Sequence, residues 1–109
     1  MEDYLTMDDK RERKILSALE KVSATIGQTE YAIGEIAYEG TCIFKENNRW
    51  LVAGTNRGHI HILYGTFSQL IYASFFFLDE ISSFEEDGNL KRMLCDILNK
   101  ENVDYWSNG

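Results

Sequence analysis

The stretch from Arg49 to Ile81, RWLVAGTNRGHIHILYGTFSQLIYASFFFLDEI, constrains the fold most: two strands joined by a tight turn, then the most apolar helix of the chain. Asn56-Arg57-Gly58 reads as a three-residue loop with Gly58 at the left-handed position of a type I turn plus G1 bulge, so Thr55 is expected to pair with His59. On a wheel at about 100° per residue, Phe67, Leu70, Ile71, Ser74, Phe77, Leu78 and Ile81 share one face, which is expected to pack on the sheet. Tyr72 and Phe76, four apart, fall on the opposite side with Asp79 and Glu80. An aromatic pair outside the core arc, rimmed by carboxylates, reads as a docking surface.

Upstream, Thr41-Cys-Ile-Phe-Lys-Glu, Asn47-Asn48 and Arg49-Trp-Leu-Val-Ala form a two-residue hairpin signal, since Asn supplies both positive φ values; Glu46 is expected opposite Arg49. Carrying that register through both turns puts Ile43, Trp50, Val52, Ile60, Ile62 and Tyr64 on one sheet face. Cys42, Phe44, Leu51, Ala53, His59, His61 and Leu63 fall on the other. Both faces are apolar, so either helices cover both or one is an interface.

Thr6 with Asp9 resembles a capping box, and Ile15, Leu19, Val22 and Ile26 recur as the buried stripe of a first helix ending near Gly27. Residues 28–40 fit a strand or a helix extension; three glycines favour a short irregular strand. A last helix opens at Gly88-Asn89, with Asn89 as cap and Leu90, Met93, Leu94, Ile97 and Leu98 on one stripe. The fold class is therefore α+β: an antiparallel three- or four-stranded meander packed with three helices, one N-terminal and two C-terminal. At 109 residues it is a single domain, residues 1–109, with 1–7 and 107–109 expected to be loose.

Eighteen acids against 11 bases give a net charge of -7, which disfavours nucleic acid and anionic membranes and favours a basic partner. Met1-Glu2-Asp3-Tyr4 has no apolar h-region and the longest apolar run is far shorter than the roughly 20 residues of a span; a cytoplasmic location follows as the expectation. Cys42 and Cys95 match no metal spacing, and two free thiols are expected, although sequence alone does not exclude a bridge.

Candidate chemistry is sparse. His59 and His61 form an H-x-H whose imidazoles would share a face, yet two ligands do not make a metal site. Cys42 with a histidine lacks a third, orienting group and sits mid-strand, so it reads as a core thiol. Trp50, Tyr64 and Tyr38 resemble a stacking platform without the basic groove that single-stranded nucleic acid needs. Gly54, Gly58 and Gly65 do not have phosphate-loop spacing. No cofactor and no catalytic residue is expected. The acids Asp79, Glu80, Glu85, Glu86 and Asp87, five in nine residues beside Tyr72 and Phe76, suit steered binding to a basic protein. The plainer alternative is a solvated helix end and loop.

The layout, an N-terminal helix, then R-W-L-V-A-G and R-G strands, G-T-F-S-Q and an L-x-x-x-F-F-F-L-D-E-I helix over residues 40–82, resembles small cytoplasmic immunity proteins of bacterial toxin–immunity systems, including contact-dependent growth inhibition. The resemblance implies a non-enzymatic antidote that occludes the active site of one cognate toxin domain, often a basic nuclease. Gly40-Thr41-Cys42-Ile43-Phe44 after an opening helix also resembles the acidic, dimeric chaperones of type III secretion effectors. That likeness implies an obligate dimer around an extended client segment, and a homodimer is left open. A small hydrolase built on His59 and His61 is the third class considered.

Overall fold

The Asn47-Asn48 turn forms as its residues dictate: both asparagines take positive φ (52° and 63°), and Glu46 faces Arg49. Around it, the computed structural model describes residues 7–27, 30–82 and 88–105. The elements are α1 (Met7–Ser23), β1 (Tyr31–Ile33), β2 (Gly40–Glu46), β3 (Arg49–Asn56), β4 (His59–Phe67), α2 (Leu70–Ile81) and α3 (Asn89–Lys100). They build an α+β domain whose four strands lie in the order β1-β2-β3-β4.

Strands β2 to β4 are the expected antiparallel meander, but β1 joins β2 in parallel, Tyr31 beside Thr41 and Ile33 beside Ile43, so the sheet is mixed. Parallel neighbours need a return connection. Here β1 is three residues long, and residues 34–39 suffice, reversing at Gly34 (φ 86°) and Gly40 (φ 113°). The return segment crosses the sheet, buries Ala37 beside Cys42, Phe44 and Ala53, and reaches the β3–β4 turn, where the Gly58 N–H donates to the Tyr38 carbonyl at 2.7 Å.

That turn corrects the expected three-residue loop. Asn56 pairs with His59, leaving a two-residue turn of Arg57 (φ 55°) and Gly58 (φ 81°), the doubly positive geometry that matches the twist of a hairpin. Thr55 consequently pairs with Ile60, not His59. Two register shifts follow, leaving His61 and Tyr64 as extra residues in β4. Each bulge reverses the in–out alternation beyond it. Leu63 therefore shares a face with Ala53 as expected, whereas Ile60 moves to that face and His59 to the opposite one, beside Asn56.

The helices lie on one side of the sheet, α2 and α1 against the strands and α3 against α1 and α2. Ile15, Ala18, Leu19 and Val22 of α1, Leu70, Ile71, Ala73, Phe77, Leu78 and Ile81 of α2, and Leu90, Leu94 and Leu98 of α3 close over Ile43, Trp50 and Val52. Each fully buried large side chain contributes roughly 1.5–3 kcal/mol by its removal from water. Ser74, at the centre of the buried α2 stripe, is satisfied by donating to the Leu70 carbonyl at 2.8 Å. Glu12 ties α1 to the sheet by accepting hydrogen bonds from Trp50 Nε1 and Lys45 Nζ, both at 2.9 Å.

Helix ends depart slightly from expectation. The α1 helix stops at Ser23, and a turn closed by Thr25 N–H to Val22 O carries the chain to Gly27. In α3 the cap is Gly88, with φ 83°, and Asn89 is already helical. Met93, expected on the buried stripe, stays exposed. Thr6 of the capping box, Trp106 and the chain ends lie outside the described residues. Among the described residues no helix is long and apolar enough to cross a membrane.

Candidate functional site

The α2 helix is amphipathic because its packed arc faces the sheet, which leaves one outer stripe. Residues 72, 76 and 79–80 follow one another at helical spacing along it. Tyr72 is half-exposed, as its position off the arc requires. Phe76 is less exposed. It is half-buried and packs on Phe67 of β4 with ring centroids 5.5 Å apart, so it belongs to the border of the core as well as to the stripe. The wheel misplaces Phe76 because it ignores the neighbouring strand edge, which reaches around the side of the helix.

At the end of the stripe Asp79 pairs with Lys91 of α3 at 2.9 Å. Burial pushes the Glu80 carboxyl above its ordinary range, and the adjacent Asp79 charge pushes it further. Both acids sit in the last turn of α2, which carries no basic residue. Carboxylates there face the negative end of the helix dipole, which costs roughly 0.3–1 kcal/mol for a carboxylate with no cation beside it; Lys91 offsets this for Asp79. Glu85, Glu86 and Asp87, the remainder of the expected acidic surface, lie outside the described residues.

The alternative chemistries come apart. The His61 bulge breaks the period of two that would set His59 and His61 side by side, and among the described residues no three His, Cys, Asp or Glu side chains are grouped to hold a metal. Trp50 is buried with its indole N–H committed to Glu12, so it cannot serve in a stacking platform with Tyr38 and Tyr64. Cys42 is free and buried; burial pushes its thiol up, partly offset by main-chain hydrogen bonds at Ala37 and Ala53. A thiol held protonated is a poor nucleophile. Cys95 is also free but only half-buried. In native buffer an aromatic disulfide reagent is therefore expected to modify Cys95 first and Cys42 only as fast as the protein opens; equal rates would show that the β2 face is accessible.

A second surface escapes the helix-based reading. Along β4 the side chains of Ile60, Ile62, Leu63 and Tyr64 are exposed, and Tyr38 stands out from the return segment beside the hairpin tip. The signal that marks it is charge: from Gly58 to Leu78 there is no Asp, Glu, Lys or Arg, in a chain 27% charged. Compared with known proteins, the chain matches no family model, no curated sequence and no solved structure.

Proposed function

We propose that this protein acts without catalysis, in the cytoplasm, by binding a basic protein domain, and that the partner is a cognate bacterial toxin whose active site it occludes. The observation that carries the reading is the α2 stripe: half-exposed Tyr72, then Phe76, then Asp79, which the fold pairs with Lys91, and Glu80, a carboxylate with no basic residue in its turn, at a helix end where folding disfavours it. Acids retained against the helix dipole, without a basic residue in their own turn, gain when a basic surface approaches. An aromatic anchor beside them supplies the apolar part of such a contact. The resemblance to immunity proteins gives the class of partner.

A sign test follows. Because the Glu80 carboxyl is raised on folding, the folded state holds its proton more tightly than the unfolded chain, so stability falls as pH rises from the ordinary carboxylate value through the raised one. At neutral pH the ionised group is a net cost. Glu80→Gln is expected to stabilise the fold by a few tenths of a kcal/mol, up to about 1, while weakening partner binding. Urea unfolding at neutral and mildly acidic pH reads the first effect and titration calorimetry the second. A variant that loses stability and keeps affinity would remove Glu80 from the site.

The partner itself is found by capture with tagged protein from its own organism's lysate at moderate salt, followed by co-expression. One-to-one recovery of a basic, toxin-like domain whose toxicity is relieved by co-expression supports the antidote. Its association rate should fall as salt rises, since steering is screened over about 10 Å at 0.1 M. The alternative, an acidic dimeric chaperone of a secreted effector, is favoured by the exposed apolar side chains of β4; recovery of an effector through its N-terminal segment would replace the first reading with it.

A further inference from the structure

The edge of the sheet formed by β4 poses a problem that the α2 stripe does not answer. Among the described residues strand β4 pairs with β3 alone, so main-chain groups on its outer side have no strand partner there. Ile60 (44%), Ile62 (47%), Leu63 (50%) and Tyr64 (38%) remain exposed along it. Edge strands are normally blunted by lysine, proline or inward charge. Strand β4 has no charged residue, and the whole chain has no proline. The bulges at His61 and Tyr64 interrupt the outer ladder without covering the apolar side chains.

Charge argues for what covers it. The chain carries -7, yet from Asn47 to Leu78 it has no acid, and Arg49 and Arg57 are the charges of that segment. A basic partner of the kind proposed above gains nothing electrostatically at this side. Two copies of an acidic chain, which repel each other elsewhere, can approach closely here. Symmetry agrees, because an antiparallel strand edge is complementary to itself about a two-fold axis. An axis passing beside Ile62 sets the Ile62 side chains of the two copies next to each other on one face. The contact is also long: nine residues at about 3.4 Å each extend about 30 Å, in a molecule whose largest extent is 35 Å.

We propose that two copies of this chain associate through their β4 edges, antiparallel about a two-fold axis, with Ile60 and Leu63 meeting the other copy on one face of the joined sheet and Ile62 on the other. Main-chain hydrogen bonds run only in the short pieces that the bulges leave, so side-chain burial carries the association. The acidic end of α2 takes no part, and the dimer does not depend on the identity of the toxin.

Sedimentation velocity of the full chain, from low to several hundred micromolar, tests this. The expected result is a doubled mass in the micromolar range, with Leu63→Asp and Ile62→Lys each weakening association by about a hundredfold or more, because a charge is forced into an apolar contact. Both residues are exposed in the single chain, so circular dichroism and, at concentrations where the parent is monomeric, the urea midpoint should stay those of the parent. Glu80→Gln should leave the mass unchanged, which separates failure of the dimer from failure of the toxin reading. A monomer at every concentration would overturn the proposal, as would a dimer indifferent to both substitutions. Equally, a monomer whose edge takes up an extended apolar peptide would reassign β4 to strand addition.

Discussion

Gly40→Ala is expected to lower the stability of the domain by about 3 kcal/mol or more, enough to leave much of the chain unfolded at moderate temperature. Gly40 has φ 113°, outside the range that side-chain-bearing residues adopt readily, and a Cβ there would be driven into the carbonyl oxygen of Glu30. That oxygen is main chain and cannot swing aside. It also accepts the Thr41 N–H at 3.2 Å, where the parallel pairing of β1 and β2 begins. The substitution must therefore distort the return segment, the β1 contact or both. Gly27→Ala is the control: its φ is 85°, but a Cβ would meet nothing within 4 Å, so only the conformational cost of about 1–2 kcal/mol applies. Urea unfolding of the two variants separates steric conflict from positive φ, and equal losses would refute the close approach at Gly40.

Phe77→Ala is expected to cost about 3–5 kcal/mol, through lost burial and the cavity left behind. The ring is fully buried at the centre of the α2 arc and meets Tyr31 edge-on, with centroids 6.0 Å apart and planes at 78°. It therefore links the helix layer to β1, the shortest strand, which is otherwise held by its pairing with β2. Phe76→Ala, one position along but half-exposed, should cost visibly less. If the two losses were equal, α2 would sit rotated about its axis and the stripe carrying Tyr72, Asp79 and Glu80 would not face outward together.

The parts of this fold legible in the sequence are those fixed by short-range chemistry. Asn47-Asn48 can hardly do anything but turn, and the apolar spacing of Leu70, Ile71, Phe77, Leu78 and Ile81 specifies both helix and buried face. The Arg57-Gly58 turn was harder to place, because arginine in the left-handed region goes against its residue type and is held there by the flanking strands. The bulges at His61 and Tyr64 depend on pairing with β3, and the parallel direction of β1 depends on a segment folded across the sheet; neither leaves a local signature. For the same reason His61, the extra residue of the first bulge, has no face assigned by counting alternate positions from His59. In the candidate site Tyr72 was legible from helical phase alone, whereas the burial of Phe76 needed the position of Phe67. The uncharged segment from Gly58 to Leu78 could have pointed to β4, had charge been counted by position as well as in total.

The contact between α1 and α3 has a consequence for the order of assembly. Leu90, Leu94 and Leu98 close over Ile15, Leu19 and Val22, Lys21 meets Glu101 at 3.7 Å, and Arg11 reaches the Asp104 carbonyl at 3.5 Å. These partners are among the most distant in sequence that meet among the described residues, so their loop closure is among the slowest steps of folding. On a ribosome adding about 5–20 residues each second, the sheet hairpins can form while the first helix still waits for its cover. The helix that is synthesised first is thus the last to be enclosed.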